Sequence, residues 1–473
     1  MASQITWQNL ESWLDTSLSS PIKDLGPPQP ESFFTDSRSV KERGWFIPIK
    51  GVHFDGHQFI EQALQKGAQG FLFEKGSAGA LSGEVRKRGI EVPDTLGAYQ
   101  KIAQGWRALV KTPLIGITGS SGKTTVKELT SHTLKSQFRT LSTEANYNNE
   151  IGVPKTLLQL TDDHEMGVLE FGARHQGDIK LLTEMASPNI TCLLNVGRAH
   201  LGEFGSVETL RSTKLEIYRT APPTATLVVP IDDDLICQAI KGAPQKILTF
   251  GYHESSDVRA IDHKPMGHQG EVRLQFQGSH EISIRLPFYH THNGINAAAA
   301  AALCFAAGMT PRDIGLHLGK VQGPPGRFKV HQLSHMTLID DSYNANPEST
   351  TAGLETLSSG FRQRQLILVL GDMLELGPES IEAHQRIGAV VAKLNPEFLA
   401  TVGDHSRYIQ EKAISLGLSK AKAQHFKDSN ELKNNYYKIK ELGDLMYVKG
   451  SNSINLSSLV THVLSQEPIA KED

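Results

Sequence analysis

The sequence predicts an α/β protein of three domains built on mostly parallel sheets. Three observations carry this expectation. Short, nearly continuous apolar runs such as "LIGIT", "GVLEF", "ITCLL" and "LILVL" alternate with segments of helical periodicity. Strands buried on both faces, and the helices that cover them, read in this way. The 473 residues make about three domains of ordinary size. The stretch "QGPPGRF", Gln322 to Phe328, is rich in glycine and proline and marks a boundary. The expected domains are 1–110, 111–323 and 324–473.

The elements follow in order. In the first domain, Trp45–Ile47 and Phe71–Phe73 read as strands, and Phe59, Ile60, Ala63, Leu64 and Ala68 fit a helix between them. In the second, "PLIGIT" is a strand, and Val126, Leu129, Leu134 and Phe138 follow at near-helical spacing. Further strands are expected at Gly167–Ala173, Ile190–Gly197, Thr226–Pro230 and Lys246–Gly251, giving a parallel sheet covered on both faces. "NGINAAAAAALCFAAG", Asn293 to Gly308, is an alanine-rich helix suited to close packing on a sheet. In the third domain "MTLIDD" is a strand, and Asn346 with Pro347 opens the next helix as N-cap and first residue. Leu366–Asp372, Phe398–Asp404 and Met446–Ser451 are further strands, each ending in Gly, Asp or Ser. Ligands of open α/β sheets sit outside such carboxyl ends.

Composition excludes several classes. The formal charge is −3 and no basic block occurs, so no nucleic-acid partner is expected. No run is long and apolar enough to suggest membrane insertion. "MASQITWQNLESWL" lacks the basic-then-apolar order of a secretory signal. Cys192, Cys237 and Cys304 are scattered in apolar settings without metal-ligand spacing, and read as core thiols in a reducing compartment. A soluble cytoplasmic protein is the expectation.

"GITGSSGKTTVKEL", Gly116 to Leu129, carries the clearest chemistry. Between a strand and a helix start, small residues let backbone N–H groups converge, and the helix dipole adds positive charge, which together hold phosphate. Lys123 would reach the terminal phosphates and Thr124 would ligate Mg²⁺. Gly116 and Gly119 flank the place, Ile117, where the strict glycine-loop pattern puts its first glycine. The bland alternative is a strand–turn–helix connection with an exposed lysine.

Glu170 lies inside an apolar strand, where a carboxylate is costly unless paired or metal-bound. His200 follows the next strand, and Lys214 and Glu216 sit on an expected helix. Read alone, His200 is a surface or hydrogen-bonding residue and Lys214 a solvated lysine. "NYNNEIGVP", Asn146 to Pro154, suits either turn chemistry or a polar, sugar-like ligand. Asp340–Ser349 and Gly371–Gly377 each follow a strand. His290 and His292 alternate as on a strand, which fits a structural role better than a metal pair.

"TGSSGKTTVKE", "NYNNEIGVPKTLL", "NVGRAHLGEFGS", "HNGINAAAA", "DDSYNANPES" and "LGDMLELG" occur in this order, and with "TDSRSVKERGWFIPIKG" near the N-terminus they closely resemble the Mur ligases. "DDSYNANP" with "LGDMLELG" is typical of the branch that adds D-alanyl-D-alanine. The resemblance spans nearly the whole chain. It implies an N-terminal UDP-binding domain, a central P-loop ATPase and a Rossmann-like C-terminal domain that moves. It implies an amide ligation through an acyl phosphate, with UDP-MurNAc-tripeptide and D-alanyl-D-alanine as substrates, ATP and two Mg²⁺ ions, in a monomer.

Residue by residue, the resemblance implies ATP contacts from the loop (Gly119, Ser120, Ser121, Gly122, Lys123, Thr124 and Thr125). Asn293 and Asn296 would lie on the adenine side, and Arg327 and Asp341 would reach ATP from the C-terminal domain. The catalytic set would be Lys123, Glu170, His200 and Lys214. Thr124, Glu170, His200 and Lys214, the last as a carbamate, would serve metal. Ser37, Arg38, Asn146 and Asn149 would meet the UDP-sugar. Two positions depart from the family pattern: Phe171 follows Glu170 where methionine is usual, and Asn452 stands where an arginine would suit a substrate carboxylate. Another ligase of this fold, including a folylpolyglutamate-type enzyme, is the alternative within the same chemistry. A P-loop switch or binding protein is the alternative outside it.

Overall fold

The computed structural model describes residues 3–467 apart from 52–53, 78–80, 198–203, 267–268, 279, 287–292, 322, 324 and 362. The described residues form three sheets. The first has four parallel strands in the order Phe33–Phe34, Trp45–Phe46, Gly70–Glu74 and Gly89–Val92. The helix Thr95–Leu109, capped by the Asp94 carboxylate on the amides of Leu96 and Gly97, leads into the second domain. Its residues Tyr99, Ile102 and Trp106 belong to one buried cluster with Trp45 on one side and Leu114, Val153 and Leu182 on the other. Arg107, also on this helix, is buried and donates to the carbonyls of Ala186 and Val110 at 2.8 and 2.6 Å. A shared core thus fixes the first domain to the second.

The second sheet has nine strands. Leu114–Thr118 lies between Met166–Glu170 and Ile190–Leu193, with Thr140–Ser142 at the edge beyond Met166–Glu170. The chain therefore winds from this strand to either side, the topological switch where open sheets bind ligands. Beyond Ile190–Leu193 come Thr226–Pro230 and Lys246–Gly251, as expected from their apolar runs. The sheet then departs from the expected parallel pattern. Val258–Met266, Gln269–Phe276 and His280–Leu286 extend it as an antiparallel meander. Val272, Leu274 and Phe276 face inward between outward polar residues, the alternation of a strand with one wet face. The alanine helix, Asn293–Ala306, buries Ala297 to Ala302 completely against this sheet and the glycine-loop helix Lys123–Leu134. Burial raises the thiol pKa values of Cys192 and Cys304.

The third sheet orders six strands as Lys329–Gln332, Thr337–Asp341, Leu445–Lys449, Leu366–Gly371, Phe398–Val402 and Ala423–Phe426, parallel except at the first edge. One apolar cluster covers each face. Asn346 caps the helix Pro347–Gly360 in a reciprocal box with Ser349.

Candidate active site

The glycine loop runs between Thr118 and the helix that starts at Lys123. Gly122 has a φ of 81°, and a Cβ there would also come within 2.7 Å of Asn296 Oδ1, so the position takes glycine on two grounds. No side chain caps the helix, which leaves its first amides for a ligand. The loop is shaped from the neighbouring strand end: Asn195 accepts from the Ser120 amide through its carbonyl and from the Ser121 amide through Oδ1, at 3.1 and 3.0 Å. Lys123 Nζ folds back onto the Gly119 carbonyl at 2.7 Å. Burial lowers the Lys123 pKa, Glu170 opposes the shift and Arg327 adds to it.

Glu170 ends the adjacent strand and is buried. Both its oxygens are held: Oε2 accepts from Thr124 Oγ1 at 3.0 Å and Oε1 from Asn148 Nδ2 at 2.8 Å. Its amide donates to Thr143 Oγ1, and the Thr143 carbonyl accepts from buried Lys127 at 2.7 Å. Lys214, on the helix Val207–Arg219, is 1 % exposed. Burial pulls its pKa down to about 7, helped by the charge of Lys123 and opposed by Asp178, Glu170 and Glu216.

The third domain closes this face. Arg327 donates to Thr124 Oγ1 at 3.3 Å and stacks 4.2 Å over the Tyr343 ring, with its Nε buried and unpaired. Arg174 of the second domain lies 3.8 Å from Glu375 of the third. Between them is a cleft of about 490 Å³, lined on one side by the glycine loop, Asn148 and Glu170, and on the other by Tyr343, Glu375 and Asn452. The carboxyl ends of parallel strands from the two sheets face each other across it.

Three family models match in succession: the Mur ligase family catalytic domain over residues 33–107, the Mur ligase middle domain over 117–304, and the glutamate ligase domain over 326–452. A UDP-N-acetylmuramoyl-tripeptide–D-alanyl-D-alanine ligase from a Synechocystis species is 35 % identical over 471 residues, covering 99 % of both chains. The chain belongs to the Mur ligase family. Among solved Mur ligases, MurF of Acinetobacter baumannii superposes with a TM-score of 0.85 at 30 % identity, covering 98 % of this chain and 99 % of that one. MurF of Thermotoga maritima, crystallised with ADP, gives 0.78 at 26 % identity over 92 % and 98 %.

Of the residues that resemblance to the Mur ligases singled out, the structure brings together Lys123, Thr124, Glu170, Lys214, Arg327, Asn146 and Asn149 at the cleft. Asn296 touches the glycine loop, and Asn293 is buried nearby with Nδ2 unpaired. Asp341 is buried in an ion pair with Lys449 at 2.8 Å and also accepts from the Tyr447 hydroxyl. Ser37 and Arg38 are not among the cleft residues. Ser37 is close to Gln62, and Arg38 is an exposed side chain paired with Asp36. His200, His290 and His292 lie outside the described residues, and among the described ones no cluster of three His, Cys, Asp or Glu side chains forms. Glu216 caps the start of the helix Asp178–Ala186 by accepting from the amides of Gly177 and Lys180. Asn452 donates to the Tyr343 carbonyl at 3.2 Å.

Sequence reasoning missed Asn148, Asn195 and Lys127. Asn148 was visible only as one of three asparagines. Asn195 falls inside the expected strand Ile190–Gly197, and a polar side chain in an apolar run is the signal that could have found it, as it marks Glu170.

Proposed function

We propose that this chain joins D-alanyl-D-alanine to UDP-MurNAc-tripeptide with ATP, an amide ligation of peptidoglycan precursor synthesis. One observation supports it above the others: Lys123, Thr124 and Arg327 converge with a buried Glu170 and a buried Lys214 on a cleft shared by two domains. The proposed domain limits are 1–110, 111–323 and 324–473, and the division into three separate sheets supports this reading.

A carboxylate is a poor electrophile toward an amine. Its oxygen attacks the γ-phosphorus of ATP, ADP leaves, and the acyl phosphate so formed carries a good leaving group. The D-alanyl-D-alanine amine then attacks the carbonyl, loses a proton, and phosphate departs. The protein's part is charge neutralisation and positioning. Amides at the start of the helix Lys123–Leu134 cradle phosphate. Lys123 exchanges the Gly119 carbonyl for a phosphate oxygen, and Arg327 brings a second positive charge from the facing domain. Closure of the two sheets keeps water from the acyl phosphate.

Thr124 and Glu170 present oxygens 3.0 Å apart on the cleft wall, a donor set that suits Mg²⁺. They would hold it with His200 and with Lys214 as a carbamate, and bound Mg²⁺, two ions in the expected arrangement, would neutralise phosphate oxygens. A lysine with its pKa near 7 has neutral amine to offer CO₂, giving a carbamate and a proton. Asn146 and Asn149 face the sugar end, with Ser37 and Arg38 further out in the first domain. The enzyme acts as a monomer in the cytoplasm, where ATP and nucleotide-linked sugars are found. Among the described residues no helix is long and apolar enough to cross a membrane.

Phosphate release with UDP-MurNAc-tripeptide, in the presence and absence of D-alanyl-D-alanine, tests this reading. Dependence on both is expected. Equal turnover with other amino acids or with folates overturns it.

A further inference from the structure

The loop Asp372–Leu376 follows the strand Leu366–Gly371 and contributes Leu374, Glu375 and Leu376 to the cleft. Glu375 has a φ of 65°, an unusual backbone for a residue with a side chain, so the loop needs firm anchors. It has three. The Asp372 carboxylate accepts from the amides of Asp404, His405 and Ser406 at 2.9, 3.0 and 2.6 Å. The Leu374 amide donates to Ser451 Oγ at 2.9 Å, and the Ser451 amide donates to the Asp372 carbonyl at 2.9 Å. The Met373 amide donates to Nε2 of His384 at 3.0 Å.

His384 is fully buried on the helix Ser380–Leu394, and its Nδ1 lies 2.7 Å from the Ser380 carbonyl. These two partners fix its state. A carbonyl only accepts, so Nδ1 carries the proton; an amide only donates, so Nε2 must keep its lone pair. The ring is neutral, and one further proton would set two donors against each other at Met373. The charges acting on the ring are the Asp372 carboxylate, which favours protonation, and His405, whose ring is 5.8 Å away and opposes it. The helices Pro347–Gly360 and Arg407–Ser415, packed on the same helix, add no charge that acts on it among the described residues. Burial dominates and lowers the pKa of His384.

We propose that His384 is a positioning residue for the ligation: in its neutral Nδ1–H form it holds the Met373 amide, and with it the loop that walls the cleft. Its link to catalysis rests on the ligase reading above; its hold on the loop does not. Glu375, which meets Arg174 from the opposite domain, moves with that loop, so release of Met373 loosens the cleft where the domains meet.

The test combines two measurements on the full chain. Hydrogen exchange by mass spectrometry at pH 7.5 follows a peptide spanning 372–379 in the wild type, His384→Gln and His384→Phe. Glutamine can still accept from Met373 and phenylalanine cannot, so exchange should rise on the order of tenfold in His384→Phe and stay near wild type in His384→Gln. Nitrogen NMR of the wild type should find the ring protonated on Nδ1 alone at pH 7.5, which needs no variant to fold. For the kinetic arm, kcat/KM for D-alanyl-D-alanine is compared at pH 7.5. His384→Phe should lose on the order of tenfold and His384→Gln should stay near wild type, because only glutamine still accepts from the Met373 amide. Equal exchange in wild type and His384→Phe, a proton on Nε2, or equal kcat/KM in His384→Phe and His384→Gln would each overturn the proposal. Absence of D-alanyl-D-alanine ligation in the wild type overturns the ligase reading and the positioning role in ligation; exchange and the nitrogen spectrum still decide the hold on the loop.

Discussion

Replacing Lys449 by methionine should destabilise the C-terminal domain by about 3–5 kcal/mol, the cost of leaving a buried charge without its partner. Lys449 Nζ is 2.8 Å from Asp341 Oδ2 and 3.1 Å from the Asn344 carbonyl, and the two paired side chains are 2 % and 8 % exposed. Without the ammonium, the Asp341 carboxylate keeps the Tyr447 hydroxyl at 2.8 Å and little water. Yet burial lowers the pKa of Lys449 despite the adjacent carboxylate, so desolvation outweighs the attraction. Removing both charges, as in Asp341→Asn with Lys449→Met, should therefore stay within about 1–2 kcal/mol of wild type. All four tryptophans lie at or before position 106 and do not report on this domain. Hydrogen exchange in the strand Leu445–Lys449 does, because that strand is paired on both sides. A loss under about 1 kcal/mol in Lys449→Met, or a double variant as unstable as the sum of the singles, would refute the reasoning.

Four further outcomes follow from the cleft. Lys123→Ala should cost on the order of 10²–10³-fold or more in kcat and melt like wild type, since it removes charge at a phosphate site; near-normal turnover would end the glycine-loop assignment. Lys214→Ala should lose activity to a similar order, with partial rescue by a small added carboxylate. CO₂-depleted buffer should slow the wild type, most strongly below pH 7: the folded amine, with its pKa drawn down to about 7, mostly holds its proton there, so the carbamate forms only in part and depends most on the CO₂ supplied, and it forms more fully as pH rises. Indifference to CO₂ at every pH contradicts the carbamate. Asn148→Ala frees one Glu170 oxygen, so the Mg²⁺ concentration for half-maximal turnover should rise on the order of tenfold, read by Mg²⁺ titration; an unchanged midpoint removes Asn148 from the support of Glu170.

The parallel strands and the glycine loop were legible because their signals are local. An apolar run bounded by glycine fixes a strand, and Gly122 with Lys123 and Thr124 fixes the helix start. Glu170 was legible because a carboxylate in an apolar strand requires a reason. The meander from 258 to 286 was not foreseen, although "VRLQF" alternates by two; continuous apolar runs were the signal sought, and a half-wet strand does not make one. Asn148 could not be told from Asn146 and Asn149, because which of them meets Glu170 depends on the turn between them. The pairing of Asp341 with Lys449 links positions 108 residues apart through the register of adjacent parallel strands, which no local pattern announces. Arg38 stood out by motif, and in the structure it is tied to Asp36 rather than aimed at the cleft.

In the proposed ligation the carboxylate of the UDP-linked tripeptide is phosphorylated by ATP and then taken by the amine of D-alanyl-D-alanine. Labelling that carboxylate with ¹⁸O tests it most directly, because attack on the γ-phosphorus moves a carboxylate oxygen into the phosphate that finally leaves. Released phosphate should carry a single ¹⁸O atom, form together with the amide product and depend on D-alanyl-D-alanine. Unlabelled phosphate, or label that appears equally without the dipeptide, would contradict it.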